Sequence, residues 1–86
     1  LIGLGSMGKR RIRNLLYHKI SKNNIFGFDL SEDRRAEVEK EYGIQTFAEL
    51  KTADRTVNPD AYIISTPPHL HAQYFLHTAK KKKHFF

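Results

Sequence analysis

The stretch Leu1-Ile2-Gly3-Leu4-Gly5-Ser6-Met7-Gly8 sets three glycines at the spacing Gly-x-Gly-x-x-Gly directly after two apolar residues. In a strand-to-helix turn of this kind, Gly3 permits the tight reversal and Gly5 lets the backbone approach a pyrophosphate. Gly8 lets the helix pack closely on the strand, and the helix N-terminus offers free N–H groups to phosphates. The spacing alone is a weak signal, because glycines occur at these intervals by chance, so the flanking sequence must decide.

An amphipathic helix is predicted directly after the turn. From Lys9 onward the apolar residues Ile12, Leu15, Leu16 and Ile20 recur with the spacing of one helix face. Residues 21–24 then suit a turn. The helix therefore opens from the glycines, as a phosphate-binding turn requires.

Strands and helices alternate along the rest of the chain. The pattern predicts strands over 25–28, 44–47 and 61–65, and the start of a further strand over 84–86. It predicts helices over 32–42, with Ser31 as the N-cap and Gly43 as the C′ glycine, over 48–54 and over 69–82. This alternation predicts an α/β fold, a Rossmann-type parallel sheet flanked by helices. The two-residue first strand and the short last one are expected to leave that fold truncated at both ends.

Asp29 ends the second predicted strand, 21 residues after Gly8. This is near the offset of a carboxylate that accepts hydrogen bonds from the adenosine ribose hydroxyls. The alternative is a glycine-rich turn followed by an unrelated N-cap aspartate, but strand, helix and acid together favour dinucleotide binding. A carboxylate at this point repels a ribose 2′-phosphate and favours NAD, while Arg34 and Arg35 leave NADP possible because either can pair with a phosphate.

Three parts of the sequence together resemble the N-terminal domain of the Gfo/Idh/MocA oxidoreductases. These are the glycine turn, Asp29, and residues 60–71, which read DAYIISTPPHLH; residues 83–86 resemble the stretch just before that family's Glu-Lys-Pro motif. The resemblance covers nearly the whole chain. It implies a Rossmann domain that binds NAD(P), in an enzyme that transfers hydride to or from a hydroxyl or ketone of a sugar, inositol or related polyol. A non-catalytic dinucleotide-binding regulatory or scaffold module remains the alternative.

The motif and the resemblance give one set of predicted cofactor-binding residues. They are Gly3, Leu4, Gly5, Ser6, Met7, Gly8, Asp29, Leu30, Arg34, Thr66, Pro67, Pro68 and His71. The resemblance implies that Thr66, Pro67 and Pro68 line the cofactor near its nicotinamide-proximal ribose, with His71 close by.

No catalytic residue is predicted within residues 1–86. In the family the lysine of Glu-Lys-Pro assists catalysis, and the lysines at 80–83 precede the strand that leads to that motif. The resemblance also implies a downstream substrate domain that is absent here. The 86 residues are therefore expected to be one incomplete NAD(P)-binding Rossmann domain, inactive alone, from a protein that forms a homo-oligomer at full length.

The net charge of +6 is divided into separate blocks. Residues 1–28 carry +6, residues 29–60 carry −4, and residues 61–86 carry +4 from a single lysine run. Two patches flanking an acidic middle favour solvated helix ends over a nucleic-acid interface.

Several kinds of site are not expected. The absence of cysteine excludes disulfides, thiolate zinc sites and thiol nucleophiles. His69 and His71 are not expected to form a metal site, because side chains two apart do not share a helix face. No apolar run reaches membrane-spanning length and no leader is evident, so a cytoplasmic protein without a membrane partner is expected.

Overall fold

The computed structural model describes residues 1–81 and 83–86, with all their side chains except those at positions 68, 71 and 85. The described chain contains helices α1 Ser6–Tyr17, α2 Glu32–Tyr42, α3 Leu50–Val57 and α4 Pro68–Lys80. The strands are β1 Phe26–Phe28, β2 Gln45–Phe47, β3 Ala61–Tyr62 and β4 His84–Phe85, and a 3-10 turn, Lys22–Asn24, precedes β1.

The first two residues join two pairs of parallel strands into one sheet. β1 pairs with β2, and β3 pairs with β4. Ile2 bridges both Phe28 and Ile64 in the parallel sense, with a hydrogen bond of 2.8 Å from its N–H to the carbonyl of Ile63. The resulting order is β2, β1, the N-terminal segment, β3 and β4. This confirms the predicted α/β architecture with a parallel Rossmann-type sheet.

The apolar core forms two clusters. One packs beneath α1 and α2, the other beneath α3 and α4. The first contains Leu4, Ile12, Ile25, Val38 and Ile44, and the second contains Ile2, Phe28, Tyr62 and Tyr74. Ile25 of the first cluster and Phe28 of the second are three positions apart in extended backbone, so their side chains point to opposite faces of the sheet. The sheet is therefore covered by helices on both faces, as continuous apolar strands predict.

Both ends of α2 follow from its sequence. The Ser31 hydroxyl accepts a hydrogen bond of 3.3 Å from the N–H of Arg34, which makes Ser31 the predicted N-cap. The helix ends at Gly43, where φ is 67°. This capping fixes the turn that follows Asp29, and with it the wall of the site described below.

The prediction for the end of α1 was wrong. The apolar stripe extends to Ile20, but the helix ends at Tyr17 and Lys19 adopts the left-handed conformation with φ of 65°. The N–H of Ile20 donates to Leu15 and the N–H of Lys19 donates to Leu16, both at 3.0 Å, which is the Schellman pattern. Ile20 therefore follows the helix, although it keeps the spacing of the helical face.

Other boundaries differ by a few residues. α3 begins later than expected, at Leu50. It also ends later than expected, at Val57, where Asn58 takes the left-handed conformation and terminates the helix. β3 is shorter than predicted, although Ile64 continues the ladder through its bridge to Ile2. α4 begins at Pro68, and the predicted helix end at Lys82 lies outside the described residues.

Candidate cofactor site

The glycine turn leaves no room for side chains on its inner surface. Gly3 has φ of 100°, and a Cβ there would lie 2.9 Å from the backbone carbonyl of Ser65. A Cβ on Gly8 would lie only 2.1 Å from the carbonyl oxygen of Gly3. The start of α1 therefore packs directly on the turn, which is the role predicted for Gly8.

The N-terminus of α1 has no capping side chain. Gly5 occupies the N-cap position, and the first turn contains no acidic residue. The first backbone hydrogen bond runs from the Lys9 N–H to the Gly5 carbonyl at 2.9 Å. The N–H groups of Ser6, Met7 and Gly8 thus have no partner within the helix, and the positive end of its dipole is left for an anion.

Asp29 is held by backbone donors on both carboxylate oxygens. Its Oδ2 accepts from the Leu4 N–H and its Oδ1 from the Ser31 N–H, each at 2.8 Å. The residue is only 8% exposed. A carboxylate has about four acceptor positions, so each oxygen retains capacity for one more donor. The glycine turn and the loop after β1 thereby fix the carboxylate beside the α1 N-terminus and leave acceptor positions free for a ligand.

The two arginines after Asp29 have different positions. Arg34 is 53% exposed and places Nη1 3.8 Å from Asp29 Oδ2. Its guanidinium carbon lies 3.7 Å from the point where a Cβ of Gly5 would be, so it reaches from α2 over the glycine turn. Arg35 instead donates from Nη1 to the backbone carbonyl of Asp29 at 2.8 Å. Arg34 is the arginine that faces the site.

These groups surround one cleft of about 520 Å³, within the usual range for ligand sites. The cleft lies between the glycine turn, the loop after β1, and the segment that leads into α4. It is lined by Gly3, Gly5, Ser6, Met7, Phe28, Asp29, Leu30, Ser31, Arg34, Ser65, Thr66, Pro67, Leu70 and Tyr74.

The wall formed by the segment that leads into α4 carries two unsatisfied hydroxyls. Ser65 Oγ and Thr66 Oγ1 are buried and have no hydrogen-bond partner. Buried hydroxyls without partners are uncommon and destabilising in folded proteins, so they offer hydrogen bonds to a ligand. The uncapped helix, the bare glycine surface, the carboxylate and these hydroxyls together fit a dinucleotide.

Nine of the thirteen predicted site residues line the cleft. Of the others, Leu4 has a fully buried side chain in the core and contributes only its N–H to Asp29. Gly8 packs against the turn and does not face the cleft. The predictions for Pro68 and His71 concern side chains outside the described part of the chain, and they stay predictions.

Sequence reasoning missed five lining residues, among them Leu70 and Tyr74 of α4. Burial, and secondarily the charge of Asp29, raises the pKa of Tyr74 above its ordinary value, so this phenol stays protonated beside the carboxylate. Their spacing of four residues places both on one helix face, directly after the Thr-Pro-Pro element. This spacing is the sequence signal that could have identified Leu70 and Tyr74 as lining residues. The remaining three are Phe28, Ser31 and Ser65.

A family model for the Gfo/Idh/MocA oxidoreductases, which have an NAD-binding Rossmann fold, matches residues 1–86. The chain belongs to this family. No curated protein matches it. Membership in the Gfo/Idh/MocA family confirms the resemblance drawn from the glycine turn, Asp29 and the Thr-Pro-Pro element, and it identifies a nicotinamide dinucleotide as a partner of the domain.

Among the described residues, no group of three or more histidine, cysteine, aspartate or glutamate side chains is arranged to hold a metal ion. No helix in this part of the chain is long and apolar enough to cross a membrane.

Proposed function

We propose that this Gfo/Idh/MocA domain binds NAD in preference to NADP and forms the cofactor-binding part of an oxidoreductase. The observation that carries the proposal is the buried Asp29 carboxylate, which shares one cleft with the uncapped N-terminus of α1. A ribose diol brings two hydroxyl donors to the free acceptor positions of this carboxylate. A ribose 2′-phosphate brings negative charge instead, and two like charges at contact distance repel each other.

The α1 N-terminus beside this carboxylate suits the pyrophosphate. The N–H groups of Ser6 and Met7 donate to its oxygens, and Gly5 keeps the intervening surface free of a side chain. Arg34 adds a positive charge. Its largely exposed side chain can change conformation to meet the ligand without disturbing the fold. The chain thus binds the ribose through a carboxylate, and the pyrophosphate through backbone N–H groups and an arginine.

We further propose a substrate with a hydroxyl or ketone on a sugar, inositol or related polyol. Bound NAD supplies the hydride acceptor, which is the chemistry of the cofactor and not of the protein. The substrate class is what the resemblance to the Gfo/Idh/MocA oxidoreductases implies, and the Ser65 and Thr66 hydroxyls bear only on the nicotinamide half, which they are free to orient by hydrogen bonds. Residues 1–86 position the cofactor, and no residue among them is assigned to proton transfer.

The NAD preference is tested by titrating the protein at its natural length with NADH and with NADPH, following nicotinamide fluorescence. We expect NADH to bind about tenfold more tightly or better, which corresponds to about 1.4 kcal/mol. Asp29→Asn should weaken NADH binding by about tenfold and narrow the difference between the two cofactors, because one charge-assisted partner of the ribose is lost. Glu32→Gln, an exposed acid in the first turn of α2, is the control.

Equal affinity of the wild-type protein for NADH and NADPH, unchanged by Asp29→Asn, would contradict the ribose assignment. The substrate class is tested separately, by following absorbance at 340 nm with NAD and a panel of sugars, inositols and open-chain polyols. Turnover of one class supports the oxidoreductase. NAD binding without turnover of any of them favours the non-catalytic dinucleotide-binding module.

A further inference from the structure

Three polar side chains from three different elements meet on the side of the sheet covered by α3 and α4. Asp54 of α3 is 8% exposed. Its Oδ1 accepts a hydrogen bond of 2.7 Å from the hydroxyl of Tyr62 in β3, and its Oδ2 lies 2.6 Å from Nε2 of His77 in α4. The rings of Tyr62 and His77 are perpendicular, with centroids 6.4 Å apart. We call these three residues the Asp54 network.

The network is satisfied within the protein. An ionised carboxylate can only accept hydrogen bonds, so both Tyr62 and His77 donate to Asp54. Burial, the hydrogen bond to Asp54 and the charge of Asp54 all raise the pKa of Tyr62 well above its ordinary value, which keeps its hydroxyl a donor. A buried carboxylate that loses one of two partners is strongly disfavoured, so the network specifies one arrangement of α3, β3 and α4.

The same helix forms a wall of the cofactor cleft. Tyr74 lies one turn before His77 on α4, and Leu70 lies one turn before Tyr74; both line the cleft. The Tyr74 ring packs edge-on against Phe28, with centroids 5.8 Å apart, and Phe28 immediately precedes Asp29. A small shift of α4 along its axis would therefore move this wall relative to the Asp29 carboxylate.

Among the described residues, the N-cap of α4 does not anchor the helix through a polar side chain. Its N-cap position is occupied by Pro67, which makes no capping hydrogen bond through its side chain. Near its other end, His77 ties the helix to α3, and Tyr62 ties that point to the sheet through Asp54. This polar attachment of α4 thus lies outside the cleft, one turn beyond Tyr74, which lines it.

We propose that Asp54, Tyr62 and His77 are positioning residues for the dinucleotide site, which fix α4 so that Leu70 and Tyr74 stand against the cofactor. The proposal rests on the proposed function, since it names residues that act on the same site through α4. None of the three residues lines the cleft among the described residues. Their effect on the cofactor is therefore indirect.

The test uses the protein at its natural length, four variants that probe the network or serve as control, and Tyr74→Phe for assigning a resonance. His77→Leu removes the donor to Asp54, His77→Gln retains a side-chain N–H donor, and Tyr62→Phe removes only the second donor. Leu15→Ala is the control, because it removes packing at the far end of α1, away from the cleft. NADH affinity is measured well below the unfolding temperature of each variant. The 19F resonance of Tyr74, assigned by its loss in Tyr74→Phe, reports the ring's position against Phe28 in fluorotyrosine-labelled protein without cofactor.

We expect His77→Leu to weaken NADH binding by about tenfold, within the range of effects that travel through packed elements, and to shift the Tyr74 resonance. His77→Gln should restore affinity to within about threefold of wild type, and Leu15→Ala should lower stability without changing affinity or the resonance. Should His77→Leu fail to fold, Tyr62→Phe gives the same readouts with a smaller change.

Unchanged NADH affinity in His77→Leu and Tyr62→Phe, or an unmoved Tyr74 resonance in both, would overturn the proposal. A general loss of stability is excluded as the cause by the Leu15→Ala control. Absence of NADH binding by the wild-type protein would instead overturn the proposed function. The Tyr74 resonance would then still decide whether the Asp54 network positions α4.

Discussion

Gly5 and Gly8 lie three residues apart in one turn, yet a methyl group has different consequences at each. At Gly8 a Cβ would lie 2.1 Å from the backbone oxygen of Gly3, which cannot move without displacing the turn. At Gly5 its nearest neighbour is the flexible guanidinium of Arg34 at 3.7 Å, an ordinary contact. Gly8 therefore serves the packing of the protein, and Gly5 leaves space for a ligand.

We therefore predict opposite outcomes for the two alanine variants. Gly8→Ala should lower the free energy of unfolding by about 2–3 kcal/mol, the size of a forced backbone shift in a packed region. Gly5→Ala should change stability by less than about 1 kcal/mol. It should nevertheless weaken NADH binding by about tenfold or more, because the methyl group lies where the pyrophosphate approaches. Urea denaturation and NADH titration separate the two effects, and a stable Gly8→Ala variant would refute the packing role.

At the scale of the element, the end of α1 contains a residue poorly suited to its conformation. Lys19 has φ of 65°, a region that costs a residue with a Cβ about 1 kcal/mol or more. Lys19→Gly should therefore raise the free energy of unfolding by about 1 kcal/mol, as measured by urea denaturation. Lys40→Gly, the same change within the regular helix α2, should lower it by about 1 kcal/mol. Destabilisation by both substitutions would mean that Lys19 contributes a contact that outweighs its strain.

At the scale of the whole molecule, local sequence patterns predict the order of the helices and strands, but they do not predict which side chains distant in sequence contact one another. The glycine spacing, the N-cap at Ser31 and the position of Asp29 are properties of short segments, and they led to most of the cleft. Hydrophobic periodicity could not show that Lys19 reverses the chain before Ile20, because the stripe continues through the reversal. The pairing of Asp54 with His77 joins residues 23 positions apart, and only the packing of α3 against α4 brings them together.

The arrangement of charge over the whole molecule bears on the alternative of nucleic-acid binding. Although residues 1–28 carry only cations, part of this patch faces the acidic α2. Lys9 Nζ lies 3.3 Å from Glu37 and 3.8 Å from Glu41, and Arg13 donates to the Tyr42 hydroxyl at 2.9 Å. Such exposed pairs add little stability, but they bring negative charge next to the cations that would have to contact phosphates.

We predict that the protein binds a labelled DNA duplex no more tightly than about 10 μM at 150 mM salt, within the range of non-specific binding. Fluorescence anisotropy over a salt series measures this, with NADH binding followed in parallel. The double variant Glu37→Gln, Glu41→Gln releases Lys9 and should raise DNA affinity at low salt while NADH affinity stays the same, because neither glutamate lines the cleft. A submicromolar affinity of the wild-type protein for the duplex at 150 mM salt would contradict this prediction and favour nucleic-acid binding. Two basic patches separated by acidic residues should not give so high an affinity.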